Sequence, residues 1–239
     1  MAMSSSFREV QLSYQVPVWS PAWAVPEIPV PESNTHDAAI EYIRARLQWW
    51  AKRENRDVWV ARNLGIRWVQ SEPRTGFDPD LCLLSPAPVN HLSSLRTWEA
   101  DHHVPRLAIE VVSPNHPYKD YVDTPDRCAA CGIEELWVYD PMLAGPKHHG
   151  GPFLLQLWRR EGMPLRLIHA GEGPAYSPVV DAWLHPIAST LPQSAKLNLG
   201  SQDGQDLWLT ESEHTAREAK RERKERQRLE AELERLRRG

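Results

Sequence analysis

Two acidic residues sit where the surrounding sequence calls for none. Asp80 opens the apolar run Leu81-Cys82-Leu83-Leu84, and Glu110 lies inside Leu107-Ala108-Ile109-Glu110-Val111-Val112. Aspartate is depleted in strands, and an ionised carboxylate is costly to bury without a partner. Carried on adjacent strands, the two acids could share one divalent cation, which would account for both. Strand alternation puts Leu107, Ile109 and Val111 on one face and Ala108, Glu110 and Val112 on the other. Glu110 then points, among small or apolar neighbours, toward a partly enclosed site. The carbonyl of Val111 or Val112 offers one more oxygen. Such a set suits Mg²⁺, which keeps several waters and accepts a substrate phosphate. A metal there lowers the pKa of a bound water and stabilises charge developing on phosphorus.

These acids need strands and helices to position them. A helix is expected to start near Ser33 to Thr35, which offer N-cap oxygens, with Asp37 facing the helix dipole. Ile40, Ile43, Leu47 and Trp50 follow at helical spacing, and Asn55 to Asp57 ends the helix. Val58-Trp59-Val60 and Ile66-Arg67-Trp68-Val69 read as two strands joined by a turn at Asn63 to Gly65. Strands at Leu81 to Leu84 and Leu107 to Val112 come next, separated by a long polar connection. A short helix is expected from about Asp123 to Cys131, with Pro125 in its first turn and Gly132 as C-cap. The strand Leu136-Trp137-Val138-Tyr139 stops at Asp140-Pro141. A hairpin follows, Phe153 to Arg159 and Leu165 to His169, turning at Glu161-Gly162. The order of elements implies an α/β fold around a mixed sheet.

Composition narrows the class. The chain has 239 residues, 41% hydrophobic and 25% charged, with net charge −4, as an ordinary globular protein does. The balance is not that of a basic nucleic-acid binder, so such binding would need a local patch. No apolar stretch is long enough to span a bilayer, and the start lacks a signal-peptide layout. Three cysteines (82, 128 and 131) point to a reducing cytoplasm rather than a disulfide framework. Pro17, Pro21, Pro26, Pro29 and Pro31, interleaved with Trp19 and Trp23, read as an extended arm. It is expected to pack on its own domain or to grip a second subunit. From Thr210 to Gly239 there are ten Lys/Arg and eight Glu, with Leu229, Leu233 and Leu236 spaced four then three. This is a solvated charged helix or a self-associating one. Nucleic-acid contact is the least expected role, because the local net charge is only +2.

At this point the residues resemble a known family. Phe77-Asp78-Pro79-Asp80, followed by Ile109-Glu110-Val111-Val112-Ser113-Pro114, is similar to the metal-binding core of the PD-(D/E)XK nuclease superfamily. The match is nearest to the Uma2 family of restriction-endonuclease-like proteins. Gly132-Ile133-Glu134-Glu135-Leu136-Trp137-Val138-Tyr139-Asp140-Pro141 fits its third motif, and a helix opening near a histidine (here His36) is also familiar there. The resemblance covers about residues 34 to 185, with a charged C-terminal helix as a frequent addition.

The resemblance implies a restriction-endonuclease-like α/β fold, a mixed central sheet flanked by helices with a charged helix or coiled coil at the end. The expected organisation is a Pro/Trp-rich arm over 1–33, a nuclease-like domain over 34–205 and a charged terminal helix over 206–239. The resemblance also implies a metal-dependent endodeoxyribonuclease using Mg²⁺ or Mn²⁺. Asp80 and Glu110 would be metal ligands, with the Val111 carbonyl beside them. The family's lysine, four residues beyond an Asp, falls at Thr124 when counted from Asp120, and its usual tyrosine falls at Cys128. Threonine carries no positive charge, so Lys119 or Arg127 must compensate. Lys119 is preferred for its flexible stem and its capacity to titrate. Ser113 could bond a water or phosphate, or cap a turn. Glu41 could approach from the first helix.

The remaining motifs carry less. Cys128-Ala129-Ala130-Cys131 lacks the second ligand pair a zinc site needs and reads as two buried small residues. His102-His103 and His148-His149 lack ordered ligand spacing. The expected function is hydrolysis of DNA phosphodiester bonds by a homo-oligomer, a dimer favoured, with no membrane partner. The alternative is a catalytically weakened nuclease fold that serves as a binding or scaffold module. The two readings part on whether Lys119 or Arg127 reaches Asp80 and Glu110.

Overall fold

The computed structural model describes residues 16–25, 34–115, 117–147, 150–162, 164–187 and 196–238. A mixed α/β fold is built on a six-stranded sheet. Its strands are β1 (Trp59–Arg62), β4 (Leu81–Leu84), β6 (Leu107–Val111), β7 (Glu135–Tyr139), β8 (Leu155–Arg160) and β9 (Leu165–Gly171), hydrogen-bonded in that order. Only β6 and β7 run parallel; the other neighbours are antiparallel. A parallel pair needs a crossover, supplied by the helical segment between them, which ends in α2 (Thr124–Cys131).

Strands β4, β6 and β7 are buried along their whole lengths, because both faces of the sheet are covered. On one face, α1 (Asn34–Arg53) buries Ile40, Ile43, Leu47 and Trp50 against Leu81, Leu107, Ile109, Trp137 and Tyr139. On the other, Cys128 and Cys131 of α2 join Cys82, Ala108, Val112, Leu136 and Val138. The alternation read from the sequence thus holds along the central strands. Two small sheets complete the fold: β3 (Gly76–Phe77), β2 (Gly65–Arg67) and β5 (Ser94–Arg96) form one. The second comprises β10 (Ala175–Ser177), β11 (Ala182–Ile187) and β12 (Lys196–Gly200).

The two strands joined by the turn at Asn63 to Gly65 are present, and β1 and β2 enter different sheets. Asn63 has φ of 49°, a conformation asparagine tolerates, and it redirects the chain. The polar connection before β6 contains β5, and the last small sheet is an addition to the expected elements. Its strands are short and interrupted by Pro186, so their alternation was weak. The β8–β9 hairpin and the Gly132 C-cap, at φ of 97°, are as expected.

Within the described part of the arm, Pro21–Trp23 form a 3₁₀ turn. Trp23 is buried with its ring tilted 56° against that of Trp68, centroids 6.0 Å apart, and the Trp68 indole donates to the Val18 carbonyl at 2.6 Å. This part packs on its own domain. Pro26, Pro29, Pro31 and the Ser33 cap lie outside the described residues, as do His148 and His149.

At the other end, α3 (Glu211–Arg238) opens with a reciprocal cap: Thr210 N–H donates to Glu213, and Glu213 N–H donates to the Thr210 hydroxyl. Its first turn meets α1 through Arg46–Glu213 at 3.0 Å and Lys52–Glu211 at 2.5 Å. No residue of α3 is buried. No helix among the described residues is long and apolar enough to cross a membrane.

Candidate active site

The antiparallel ladder of β4 and β6 brings the two acids together. Leu81 pairs with Ile109 and Cys82 with Ala108. One step back along that register sets Asp80 opposite Glu110, on the face shared by Cys82, Ala108 and Val112. Asp80 is 6% exposed and Glu110 1%. Asp80 Oδ2 accepts the Val111 N–H at 2.7 Å, in the place of a main-chain ladder partner. Nε2 of His36, from the first turn of α1, lies 3.3 Å from the same oxygen and donates to the Val111 carbonyl. The sequence tied His36 to the family only by its position at a helix start; its contact with Asp80 comes from how α1 lies on the sheet.

The helical segment supplies the positive charge. The helix starts earlier than the expected Asp123: a π-helical turn, Lys119–Asp123, precedes α2, and the Thr124 N–H donates to the Lys119 carbonyl five residues back. In an α-helix, positions five apart are rotated by about 140°. The wider π turn instead sets both side chains over one carboxylate. Thr124 Oγ1 donates to Glu110 Oε1 at 3.4 Å, and Lys119 Nζ stands 3.8 Å from Glu110 Oε2. Lys119 also lies 3.7 Å from Asp120 Oδ1.

The electrostatics follow from burial. Removal from water pushes the Glu110 carboxyl well above its usual range; Lys119 opposes this, and the charges of Asp80 and Asp120 add to it. Asp120, also buried, is raised to about 7 by desolvation, with Lys119 and the Ser113 N–H pulling the other way. Lys119 is raised chiefly by Glu110 and so stays an ammonium. Three buried acids, Asp80, Glu110 and Asp120, therefore cluster around one lysine.

A hard divalent cation fits this donor set. The donors are all oxygen, and once ionised the carboxylates would carry more negative charge than Lys119 alone neutralises. Among the described residues, no three His, Cys, Asp or Glu side chains are gathered closely enough to hold an ion unaided. An ion here would therefore draw on the two carboxylates, the Val111 carbonyl and water, as Mg²⁺ commonly does.

Other candidate residues are placed elsewhere. Arg127 Nη1 donates to the Gly76 carbonyl at 2.9 Å, so Arg127 braces β3 rather than contacting either acid. Glu41 pairs with Arg62 at 3.2 Å and Arg44 at 3.3 Å, because it lies on the solvent side of α1. The Ser113 hydroxyl accepts the Asn115 N–H at 3.4 Å, a turn cap. Burial raises the thiols of Cys128 and Cys131, the latter to about 12, and both are unbridged. His102 Nδ1 meets the Arg96 backbone.

Two further buried acids escaped the sequence reading, and both are braces. Glu135 accepts from the Trp137 indole at 2.7 Å, from Arg159 at 3.2 Å and from the Ser177 hydroxyl, tying β7 to β8 and β10. Asp140 accepts the Ala144 and Gly145 N–H groups and the Tyr121 hydroxyl at 2.9, 2.8 and 2.9 Å. A Cβ on Gly145 would fall 2.3 Å from the Tyr121 ring, so only glycine permits that approach. The Asp-Pro that ends the third motif thus ties the β7 exit to the π turn. Its signal was an acid closing an apolar strand.

A family model described as "Uma2: Putative restriction endonuclease" matches residues 25–148, more than half of the chain and the whole of the site above. A crystal structure described as "a putative nuclease belonging to DUF820 from Anabaena variabilis ATCC 29413" is similar at 14% identity and a TM-score of 0.43. That likeness covers 64% of this chain and 76% of that one. No curated protein matches. The chain belongs to the Uma2 family.

Proposed function

We propose that the chain is an endonuclease that hydrolyses DNA phosphodiester bonds with the help of Mg²⁺ or Mn²⁺. The observation that carries this reading is Lys119 Nζ at 3.8 Å from Glu110 Oε2, with Asp80 opposite on the next strand. A divalent cation bound there would neutralise the carboxylates and act as a Lewis acid toward a phosphoryl oxygen. Asp80 and Glu110 would hold it, and His36 and the Val111 N–H fix the orientation of Asp80. Lys119, kept protonated by Glu110, donates a hydrogen bond that orients the attacking water. It also offers positive charge where charge grows on the phosphoryl oxygens. Thr124 steadies Glu110 from the second turn of the helix.

The alternative, a nuclease fold used only for binding, rests on Thr124 in the lysine position. Lys119 weighs against it, since the charge missing at 124 is supplied one π turn earlier. The buried free thiols support a reducing, cytoplasmic setting. A plasmid-nicking assay tests the proposal. Wild-type protein should nick supercoiled DNA in Mg²⁺ or Mn²⁺, and EDTA or Glu110→Gln should abolish it. Equal nicking by Glu110→Gln, or none by wild type in either metal, would overturn the proposal.

A further inference from the structure

The +2 net charge of the last thirty residues hides how the charge is distributed. At about 100° per residue, Arg217, Lys220, Arg221, Lys224, Arg228 and Arg235 of α3 fall within an arc of about 100°. Between Arg217 and Arg235 that arc holds no acid, and Ala231 is its only other member. Glu218, Glu222, Glu225, Glu230, Glu232 and Glu234 occupy the rest of the circumference. The stripe runs about 27 Å at about 1.5 Å per residue. All six cations are exposed, and none forms an ion pair among the described residues.

This arrangement costs helix stability. Arg217–Arg221, Lys220–Lys224 and Lys224–Arg228 are like-charged pairs four apart, which repel. Arg221 and Arg228 are met from the flank by Glu225 and Glu232, four residues on, but Lys220 and Lys224 have no acid three or four residues away. A polyanion laid along the helix would offset the repulsion that remains. Duplex DNA presents roughly one charge per 1.7 Å of axis, so the stripe spans about sixteen. The other face mixes Glu with Leu229, Leu233 and Leu236, which is poorly suited to sinking into a bilayer.

We infer that this face of α3 is a sequence-independent docking rail for the phosphate backbone of duplex DNA. The rail holds substrate outside the catalytic pocket, and the identity of its polyanion rests on the endonuclease reading.

The test is fluorescence anisotropy of the full chain with a duplex of about 30 base pairs, in EDTA, across a salt series. Lys220→Gln/Lys224→Gln/Arg228→Gln should weaken binding about tenfold or more at low salt and lower the salt slope by about 2–3. Arg223→Gln/Arg226→Gln/Arg237→Gln removes the same charge from the other side of the helix and should change binding less than about threefold. Equal losses in the two variants, or no loss in the first, would overturn the inference. So would stripe-dependent binding to phosphatidylserine vesicles without stripe-dependent binding to DNA. Plasmid nicking by wild type separates the two claims. Nicking with stripe-independent binding removes the rail alone; stripe-dependent binding without nicking removes the hydrolase alone.

Discussion

Lys119 and Thr124 meet the same carboxylate from opposite ends of one π turn, Lys119 at Oε2 of Glu110 and Thr124 at Oε1. The extra residue in that turn changes which positions share a face. A cation absent from position 124 is thereby recovered at position 119. Lys119→Met should therefore lower nicking by about 10² or more while leaving the fold intact. Adding Thr124→Lys to Lys119→Met should restore part of the activity. No rescue and no loss together would mean that neither position serves the reaction.

Asp120 links the pocket to pH. In metal-free protein its carboxyl titrates near 7 in the fold, against about 3.9 when unfolded. Between those values the native state binds more protons, so stability falls as pH rises. Glu110 shifts in the same direction. Melting in EDTA should occur at a higher temperature at pH 5 than at pH 8. Asp120→Asn should flatten the difference, and Mg²⁺, which favours the ionised carboxylates, should reduce it. A melting temperature that rises from pH 5 to 8 in EDTA would contradict this.

Glu135 is a brace, fully buried and held by Trp137, Ser177 and Arg159. Removing one partner of a buried charge pair strands the other. Glu135→Ala should cost about 3–5 kcal/mol in urea unfolding. Metal binding by the surviving folded protein should be unchanged, because Glu135 lies outside the site.

The first two-thirds of the fold were largely legible in the sequence. Apolar runs marked β4, β6 and β7, and helical spacing marked α1. Asp80 and Glu110 stood out because acids are expensive in such runs. What stayed hidden depended on geometry without periodicity. The π turn carries no pattern of its own, so the early helix start and the reach of Lys119 were invisible to spacing alone. His36 meets Asp80 only because of how α1 crosses the sheet. The small sheet of β10, β11 and β12 is too short and too interrupted to announce itself. On α3, counting charge concealed what plotting it around the helix revealed.

The same helix carries the expectation of self-association. Leu229, Leu233 and Leu236 are 53%, 54% and 75% exposed, on the side away from the basic stripe. Light scattering should give a dimer mass for the full chain and a monomer mass after removal of residues 225–239, which leaves the Arg46–Glu213 contact in place. A monomer mass in both would exclude pairing through these leucines.

The most direct measurement is titration of Mn²⁺ into wild type and Glu110→Gln by calorimetry. Binding to the wild-type chain, lost or severely weakened in the variant, is the expected result. Equal binding in the two proteins, or none in wild type, would contradict a metal centre built on Asp80 and Glu110.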